Sequence, residues 1–426
     1  MAKKESPLLG QFYAKTKELH PDRIHDGGSA DESINAGVPI PYLSLMYLLN
    51  STVLSLSKAI GLAGPAMSQK SSLGYEFIRL VQRYSGAGVL IDSEGNKFNP
   101  SLIRSIMGDA AYDDRNKFNI LTALDSDESL RHMTGFMKWV RESEIQRTPL
   151  ALVLDSLYGT ATEGMVEKQD REGVLQADFA RVAQFWTRNM QAFIPQLVGW
   201  PVLFVFTNHL KDIPSVMPGG PPGKTTPGGV AQRFYASNYL HMRRVERRQA
   251  KTAEEDGDAV RKIQEIRTIE LKLNKTSLGI DARKVNVDFV WWYRDDTDRK
   301  QVTQWDWDSA TAYLLLEEQG NADNTGKALR GVVDVRMDKK RFSSSVLKLK
   351  DVPAHELGAA VHADRALIDA LVSFMHIQRN PVWPGLRLTD APQAKAEEKQ
   401  PEEKPAEKPA KADKPPPKAP NGLDMG

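Results

Sequence analysis

The sequence predicts an α/β protein built on a central, mostly parallel twisted sheet. Three near-continuous apolar runs, AGVLIDSE (87–94), LALVLDSL (150–157) and VLFVFTNH (202–209), each end in polar residues. That pattern suits strands buried on both faces. Helical stretches lie between them, at 70–84, 127–143 and 176–198, and repeated strand–helix–strand order argues a doubly wound core. The composition agrees: 426 residues with 41% hydrophobic and 26% charged suit a folded chain with a sizeable core.

Taken in order, the chain divides into four parts. Residues 1–39 form an N-terminal segment with no secure pattern. Residues 40–294 hold the three runs and form the expected core. After Gly229 the texture changes: Phe234–His241, Ile266–Asn274 and Lys284–Tyr293 alternate as strands do, while the charged Val245–Arg261 reads as an excursion or a helix. Residues 295–388 read as a smaller C-terminal α/β module, with Trp305 and Trp307 near its start and a helical run from His355 to Gln378. Residues 389–426 are mostly Pro, Lys, Glu and Ala, with seven lysines against seven acids from Ala391 onward. Such a tail cannot offset its ordering entropy and is expected to be disordered, as a solubilising segment or a tether.

Several classes are excluded. With no cysteine there is no disulfide scaffold, thiolate-bound zinc, iron–sulfur cluster or thiol catalysis. A net charge of +2, from 57 basic and 55 acidic residues, is no polycation, so a nucleic-acid contact must be a local patch. The most apolar stretch, Val38–Met67, is broken by Pro39, Pro41, Asn50 and Lys58, too often for a membrane span of about 20 apolar residues. The start, MAKKESPLLG, lacks the apolar centre of an export signal. A soluble, cytoplasmic protein is expected.

The chemistry starts at GPAMSQKSS (64–72), between the apolar AIGLA and a helix. Gly64, Lys70 and Ser71 keep the spacing of a phosphate-binding loop. In such loops backbone N–H groups wrap phosphates, the lysine reaches the β/γ-phosphates and the hydroxyl holds Mg²⁺. Gln69 stands where the pattern has its second glycine. A lysine in a first helical turn opposes the positive helix N-terminus, which points to an anion opposite Lys70. Asp155 and Glu94 end two of the apolar runs. Facing such a loop, Asp155 suits Mg²⁺ binding and Glu94 suits proton abstraction from water. Read alone, both acids and Asp92 also suit helix caps or loop positions. His209 ends the third run; with no second His or carboxylate at ligand spacing it is no metal ligand, but it stands where a γ-phosphate sensor would.

One segment points to a family. TTPGGVAQRFYASNYLHMRR (225–244) resembles the RecA signature, in which TTGG leads into a KFYAS strand and a pair of arginines. GPAMSQKSS, LIDSE, ALVLDSL and FVFTNH then resemble, in RecA order, its phosphate loop, catalytic-glutamate strand, Walker-B strand and sensor strand. The resemblance spans about residues 40 to 292. The missing second glycine, the DSE ending and His209 resemble the phage UvsX branch of the family more than its bacterial members.

The resemblance implies roles. Gly64, Pro65, Ser68, Gln69, Lys70, Ser71, Ser72 and Asn99 would bind ATP, with Ser71 and Asp155 holding Mg²⁺. Glu94 would be the base, and His209 would couple the γ-phosphate to DNA. Lys275 matches the second lysine of a pair that reaches a neighbouring protomer's ATP; the first of that pair is Leu273 here. Phe234 matches an interface aromatic. The N-terminal segment would dock onto the next protomer.

DNA would meet two loops, 158–178 and 210–229, the second rich in proline and glycine. Long loops of this kind inside a domain are usually functional or disordered. In the second loop, Lys211 and Lys224 bring charge, and Thr225, Thr226, Gly228 and Gly229 form its end. The two glycines let backbone amides approach a phosphate closely. Arg181 and Arg188, seven apart and so on one helix face, match two family arginines. HMRRVERR (241–248), with Arg243 and Arg244, reads equally as a secondary DNA site or as a charged strand edge.

The function expected is an ATP-dependent recombinase. It would form a filament on single-stranded DNA, pair it with homologous duplex DNA, and work with loader and single-strand-binding proteins. The alternatives are another RecA-core helicase or motor, or a DNA-coating scaffold that does not hydrolyse ATP.

Overall fold

The computed structural model describes residues 35–95, 99–143, 145, 147–157, 161–166, 179–213, 223–225, 231–251, 263–276, 283–293, 301–320 and 329–386. The N-terminal segment up to residue 34, most of the first loop, Thr226, Gly228, Gly229 and the expected tail lie outside them.

In chain order the strands are β1 (Gly37–Pro39), β2 (Val53–Ser55), β3 (Lys58–Gly64), β4 (Ala87–Asp92), β5 (Phe118–Thr122), β6 (Leu150–Asp155) and β7 (Val202–His209). They continue with β8 (Lys211–Ile213), β9 (Gly223–Thr225), β10 (Asn238–Lys251), β11 (Ile263–Thr276), β12 (Lys284–Tyr293) and β13 (Gln301–Asp306). Nine of them form one sheet in the order β13-β12-β11-β10-β3-β7-β6-β4-β5. The six from β10 to β5 pair in parallel, and β10 to β13 pair antiparallel. The three apolar runs are β4, β6 and β7, as expected.

Each run is apolar throughout because both faces are covered. Ile60, Leu62, Ala151, Val153, Leu203 and Val205 enter one apolar cluster, and Ala59, Ala63, Leu150, Leu152, Leu154, Phe204 and Phe206 enter the other. Neighbouring positions alternate between them, as the period-two pleat demands. The first cluster also holds residues of the helices α1 (Leu43–Leu49), α2 (Lys70–Gln82) and α3 (Pro100–Met107). Beside α3 lies the short α4 (Asp109–Asp113). The second cluster receives α5 (Ser126–Glu142) and α6 (Phe179–Phe193). Asp125 caps α5 by accepting the Glu128 N–H at 2.6 Å, and the Glu128 carboxylate accepts the N–H of Leu124, the residue before the cap, at 2.7 Å.

Three expectations change. The FYAS segment is not a strand from Phe234: a short helix, α7 (Ala231–Tyr235), comes first and β10 starts at Asn238. Its aromatic residues have strand propensity, but tertiary context overrides propensity. Strand β10 also runs on to Lys251, through the stretch read as an excursion or helix. Finally, the helical run His355–Gln378 is two helices, α9 (Ala354–Ala363) and α10 (Arg365–Phe374). Asp364 divides them because its backbone is extended and its carboxylate accepts the Leu367 N–H at 3.0 Å, making it an N-cap.

A separate module was expected from residue 295, yet the sheet crosses that point. Strand β13 pairs with β12 from Asp288↔Asp306 to Tyr293↔Gln301. The following helix, α8 (Trp307–Gly320), adds Trp307, Ala310, Leu314 and Leu315 to the same apolar cluster as β3 and α2. A small antiparallel sheet of β14 (Val335–Asp338), β15 (Arg341–Ser344) and β16 (Leu349–Val352) adds Val335 and Phe342 to that cluster.

Two predictions follow from the packing. A Cβ at Gly358 on α9 would stand 1.9 Å from the Asp308 carbonyl oxygen on α8, whereas one at Gly135 on α5 would meet nothing within 4 Å. In denaturant unfolding, Gly358→Ala should cost about 1–3 kcal/mol through overpacking. Gly135→Ala should gain up to about 1 kcal/mol from helix propensity. The second concerns His241 on β10, whose pKa is pushed down to about 4 by burial and then by Arg233 and Lys272. Unfolding frees it to bind a proton at its ordinary value near 6.5. Its stabilising contribution is therefore whole above about pH 6.5 and is lost as pH falls toward 4. Allowing for its partial exposure, we expect a loss of about 1–2 kcal/mol over that window. It should be missing from His241→Asn, so the difference between wild type and the variant should carry it.

Candidate active site

The parallel strands all end on one edge of the sheet, and the register brings the ends together. Gly64 of β3 lies opposite His209 of β7, and Asp92 of β4 lies opposite Asp155 of β6. The four strands are neighbours in the order β3-β7-β6-β4, so one stretch of edge collects Lys70, His209, Asp155 and Glu94. Ligands of open α/β sheets bind at this edge.

The loop between β3 and α2 is folded around its own lysine. Lys70 Nζ, buried in the loop, donates to the Gly64 carbonyl at 3.0 Å and the Pro65 carbonyl at 2.8 Å, with Ser68 Oγ at 3.5 Å. Ser68 Oγ donates to the Pro65 carbonyl at 2.9 Å. Gly64 is needed here because a Cβ would stand 2.4 Å from both the Met242 carbonyl oxygen and Ser68 Oγ. Gln69 takes φ 63 and ψ 30, the left-handed backbone glycine adopts most readily. The departure from the glycine pattern therefore leaves the turn intact. Its side-chain oxygen accepts from Ser72 Oγ at 2.8 Å.

The acids are held by neighbours that the sequence reading missed. Thr207 Oγ1 on β7 donates to Asp155 Oδ1 at 2.5 Å. Asp92 Oδ1 accepts the N–H groups of Glu94 at 3.0 Å and Gly95 at 3.2 Å, folding the turn that presents Glu94. Glu94 Oε1 accepts from Ser156 Oγ at 2.8 Å and lies 3.0 Å from His209 Nε2. Ser93 and Ser156 exchange bonds as well, with Ser93 Oγ donating to the Ser156 carbonyl at 2.6 Å and accepting the Ser156 N–H at 2.9 Å. The hint was present in sequence, since DSE and DSL both carry a serine after the aspartate.

Tyr75, buried on α2, has its phenol pKa raised well above normal by burial first, then by the charges of Asp155 and Asp92. Among the described residues no group of three or more His, Asp and Glu side chains is arranged to hold a metal ion alone.

The other expected residues fall in three places. Asn99 is exposed and caps α3, its side-chain oxygen accepting the Leu102 N–H at 3.1 Å. Phe234 and Lys275 sit together: Phe234 is 72% exposed, and Lys275 Nζ donates to the carbonyls of Arg233 and, at 3.0 Å, Phe234. Partial burial lowers the Lys275 pKa. Arg181 and Arg188 are exposed on α6 and line a cleft of about 400 Å³ with Gln184 and Asn189. Lys211 lies on β8, and Lys224 and Thr225 on β9, which pairs with it antiparallel.

In the arginine strip, Arg243 pairs with Glu270 at 3.1 Å, Arg247 with Glu265 at 3.1 Å and Arg248 with Asp288 at 2.5 Å. Cross-strand acids thus offset three of the four charges. Arg244 instead turns to the loop between β3 and α2, with Nη1 4.0 Å from Met67 Sδ.

With this geometry in view, the chain can be set beside known proteins. It is 26% identical over 225 residues to Protein RecA of Chlorobium limicola, covering 52% of this chain and 58% of that protein. Over 210 residues it is 26% identical to Protein RecA of Tropheryma whipplei, covering 49% and 44%. Over 247 residues it is 24% identical to Protein RecA of Leifsonia xyli, covering 58% and 62%. This distant similarity supports RecA-family membership. No family model matches the chain, and the match spans about half the length of the first of these curated relatives. The α/β architecture with its large, mostly parallel sheet is consistent with a RecA-like core. Among the described residues no helix is long and apolar enough to cross a membrane.

If the serine and threonine position the acids, Thr207→Val and Ser156→Ala should each leave the fold intact. In a crystal structure of each variant, the Asp155 or the Glu94 carboxylate respectively should leave its present rotamer.

Proposed function

We propose that this chain is an ATP-dependent DNA recombinase of the RecA type, nearest its phage UvsX-like branch. The observation that carries the reading is the shared strand edge on which Lys70, Asp155, Glu94 and His209 meet. In this reading the N–H groups of 66–72 and the Lys70 ammonium bind the ATP phosphates. Mg²⁺, held by Ser71 and Asp155, neutralises phosphate charge. Glu94 accepts the proton of the attacking water, and its neighbours Ser156 and His209 aim the carboxylate.

The same carboxylate oxygen touches Ser156 and His209, and these residues lie just before the two loops expected to meet DNA. A change at the γ-phosphate position therefore alters the anchors of both loops together. Phe234 and Lys275 face the next protomer in a filament on single-stranded DNA, with Lys275 contributing to that protomer's ATP site. Arg181, Arg188, Lys211, Lys224 and Arg244 contact DNA phosphates, while Thr225, Thr226, Gly228 and Gly229 bring backbone close to the strand. Phosphate contacts make binding salt-sensitive with little sequence preference, and homology is read by base pairing during strand exchange. The reading implies recombination and repair in the cytoplasm, the host's if the chain is phage-encoded.

Phosphate release with and without single-stranded DNA, together with negative-stain images, tests this. Glu94→Gln should keep ATP binding and filaments while turnover falls by about 10²-fold or more, the worth of a general base. Lys70→Ala should lose ATP binding itself. Closed rings instead of filaments would favour a helicase or motor, and DNA binding without any ATP turnover would favour a scaffold.

A further inference from the structure

Helix α2, which the phosphate loop opens, is gripped by two indoles that come 233 and 231 residues later in the chain. Trp305 Nε1, at the end of β13, donates to the Ser72 carbonyl at 3.2 Å. Trp307 Nε1, at the start of α8, donates to Glu76 Oε1 at 3.2 Å. Ser72 and Glu76 are one turn apart and share a helix face. The indoles are 6% and 1% exposed. They stack on each other at 6.0 Å and 24°, with Phe289 against Trp305 at 5.1 Å and Tyr42 stacked on Trp307 at 6.0 Å.

Glu76 is itself buried, and a buried carboxylate is tolerated only when paired. Arg79 pairs with it through bonds of 2.8 and 2.6 Å and also donates to Tyr42 Oη at 3.0 Å. The α2 face is thus fixed from β13, α8 and the N-terminus of α1 together.

An anion site at a helix N-terminus depends on the direction of the first-turn N–H groups. The Ser72 carbonyl belongs to that turn, so the Trp305 bond fixes its rotation, and Trp307 fixes the next turn through Glu76. We propose that Trp305 and Trp307 are positioning residues of the nucleotide site. They aim the α2 amides and Lys70 at the phosphates and couple loop occupancy to the segment after residue 300. This rests on the nucleotide-binding reading. It gives that segment a part in ATP binding, although neither indole is near a phosphate-binding group except through α2.

The test titrates Mg–ATP into the full chain by calorimetry and follows tryptophan emission. Trp305→Phe and Trp307→Phe keep a ring but remove the donor, and should weaken Mg–ATP binding about 5–15-fold, the worth of one hydrogen bond. Trp186, equally buried in the other apolar cluster and with its Nε1 unpartnered, is the control: Trp186→Phe should bind Mg–ATP as wild type does. ATP should change the wild-type emission, and that change should shrink in Trp305→Phe. Wild-type affinity in both folded indole variants would overturn the proposal, as would equal weakening by Trp186→Phe. If an indole variant does not fold, a wild-type emission unresponsive to bound ATP overturns it instead. Wild type that fails to bind Mg–ATP would sink the nucleotide reading as well, whereas binding wild type with unaffected variants would sink this inference alone.

Discussion

The register between neighbouring parallel strands is the constraint on which the site depends. Pairing of Gly64 with His209 and of Asp92 with Asp155 puts the ends of four chain segments side by side. In a parallel sheet, slipping one strand by a single residue would turn its side chains to the other face. Because both faces here are packed with apolar side chains of different size, such a slip would set large side chains where small ones fit and draw a polar end residue toward a packed layer. The two apolar clusters therefore do more than stabilise the sheet: they hold Glu94 and Asp155 at the edge to within a residue.

On that frame, local hydrogen bonds do the fine positioning. Asp92 folds the turn that carries Glu94, Thr207 holds Asp155, and Ser156 reaches across from β6 to Glu94. Thr207 and Ser156 come from neighbouring strand ends, and Asp92 from the end of Glu94's own strand. The acids are thus oriented by the strand ends themselves, which matches the general advantage of building sites on rigid elements.

Much of this was legible in the sequence, and the exceptions have physical reasons. The apolar runs revealed β4, β6 and β7 because strands covered on both faces need no polar alternation. Spacing marked the tight turn from Gly64 into the helix at Lys70, and Gln69 did not spoil it because its backbone turns left-handed as a glycine would. Thr207, Ser156 and Glu76 were not legible, since each acts through a partner on another element. The continuity of the sheet past residue 294 was equally hidden: it depends on β13 pairing with β12, and cross-strand pairing leaves little local trace. At Asp364 a helical pattern concealed a break, because one acid that caps a new helix looks much like any other polar residue on a helix surface.

The arrangement of Lys70 has a further consequence. Its ammonium already rests on the carbonyl oxygens of Gly64 and Pro65, so the side chain serves as its own loop's internal guest. An incoming anion need not mould a collapsed turn. It would exchange one set of oxygens for another around a cation that is already in position.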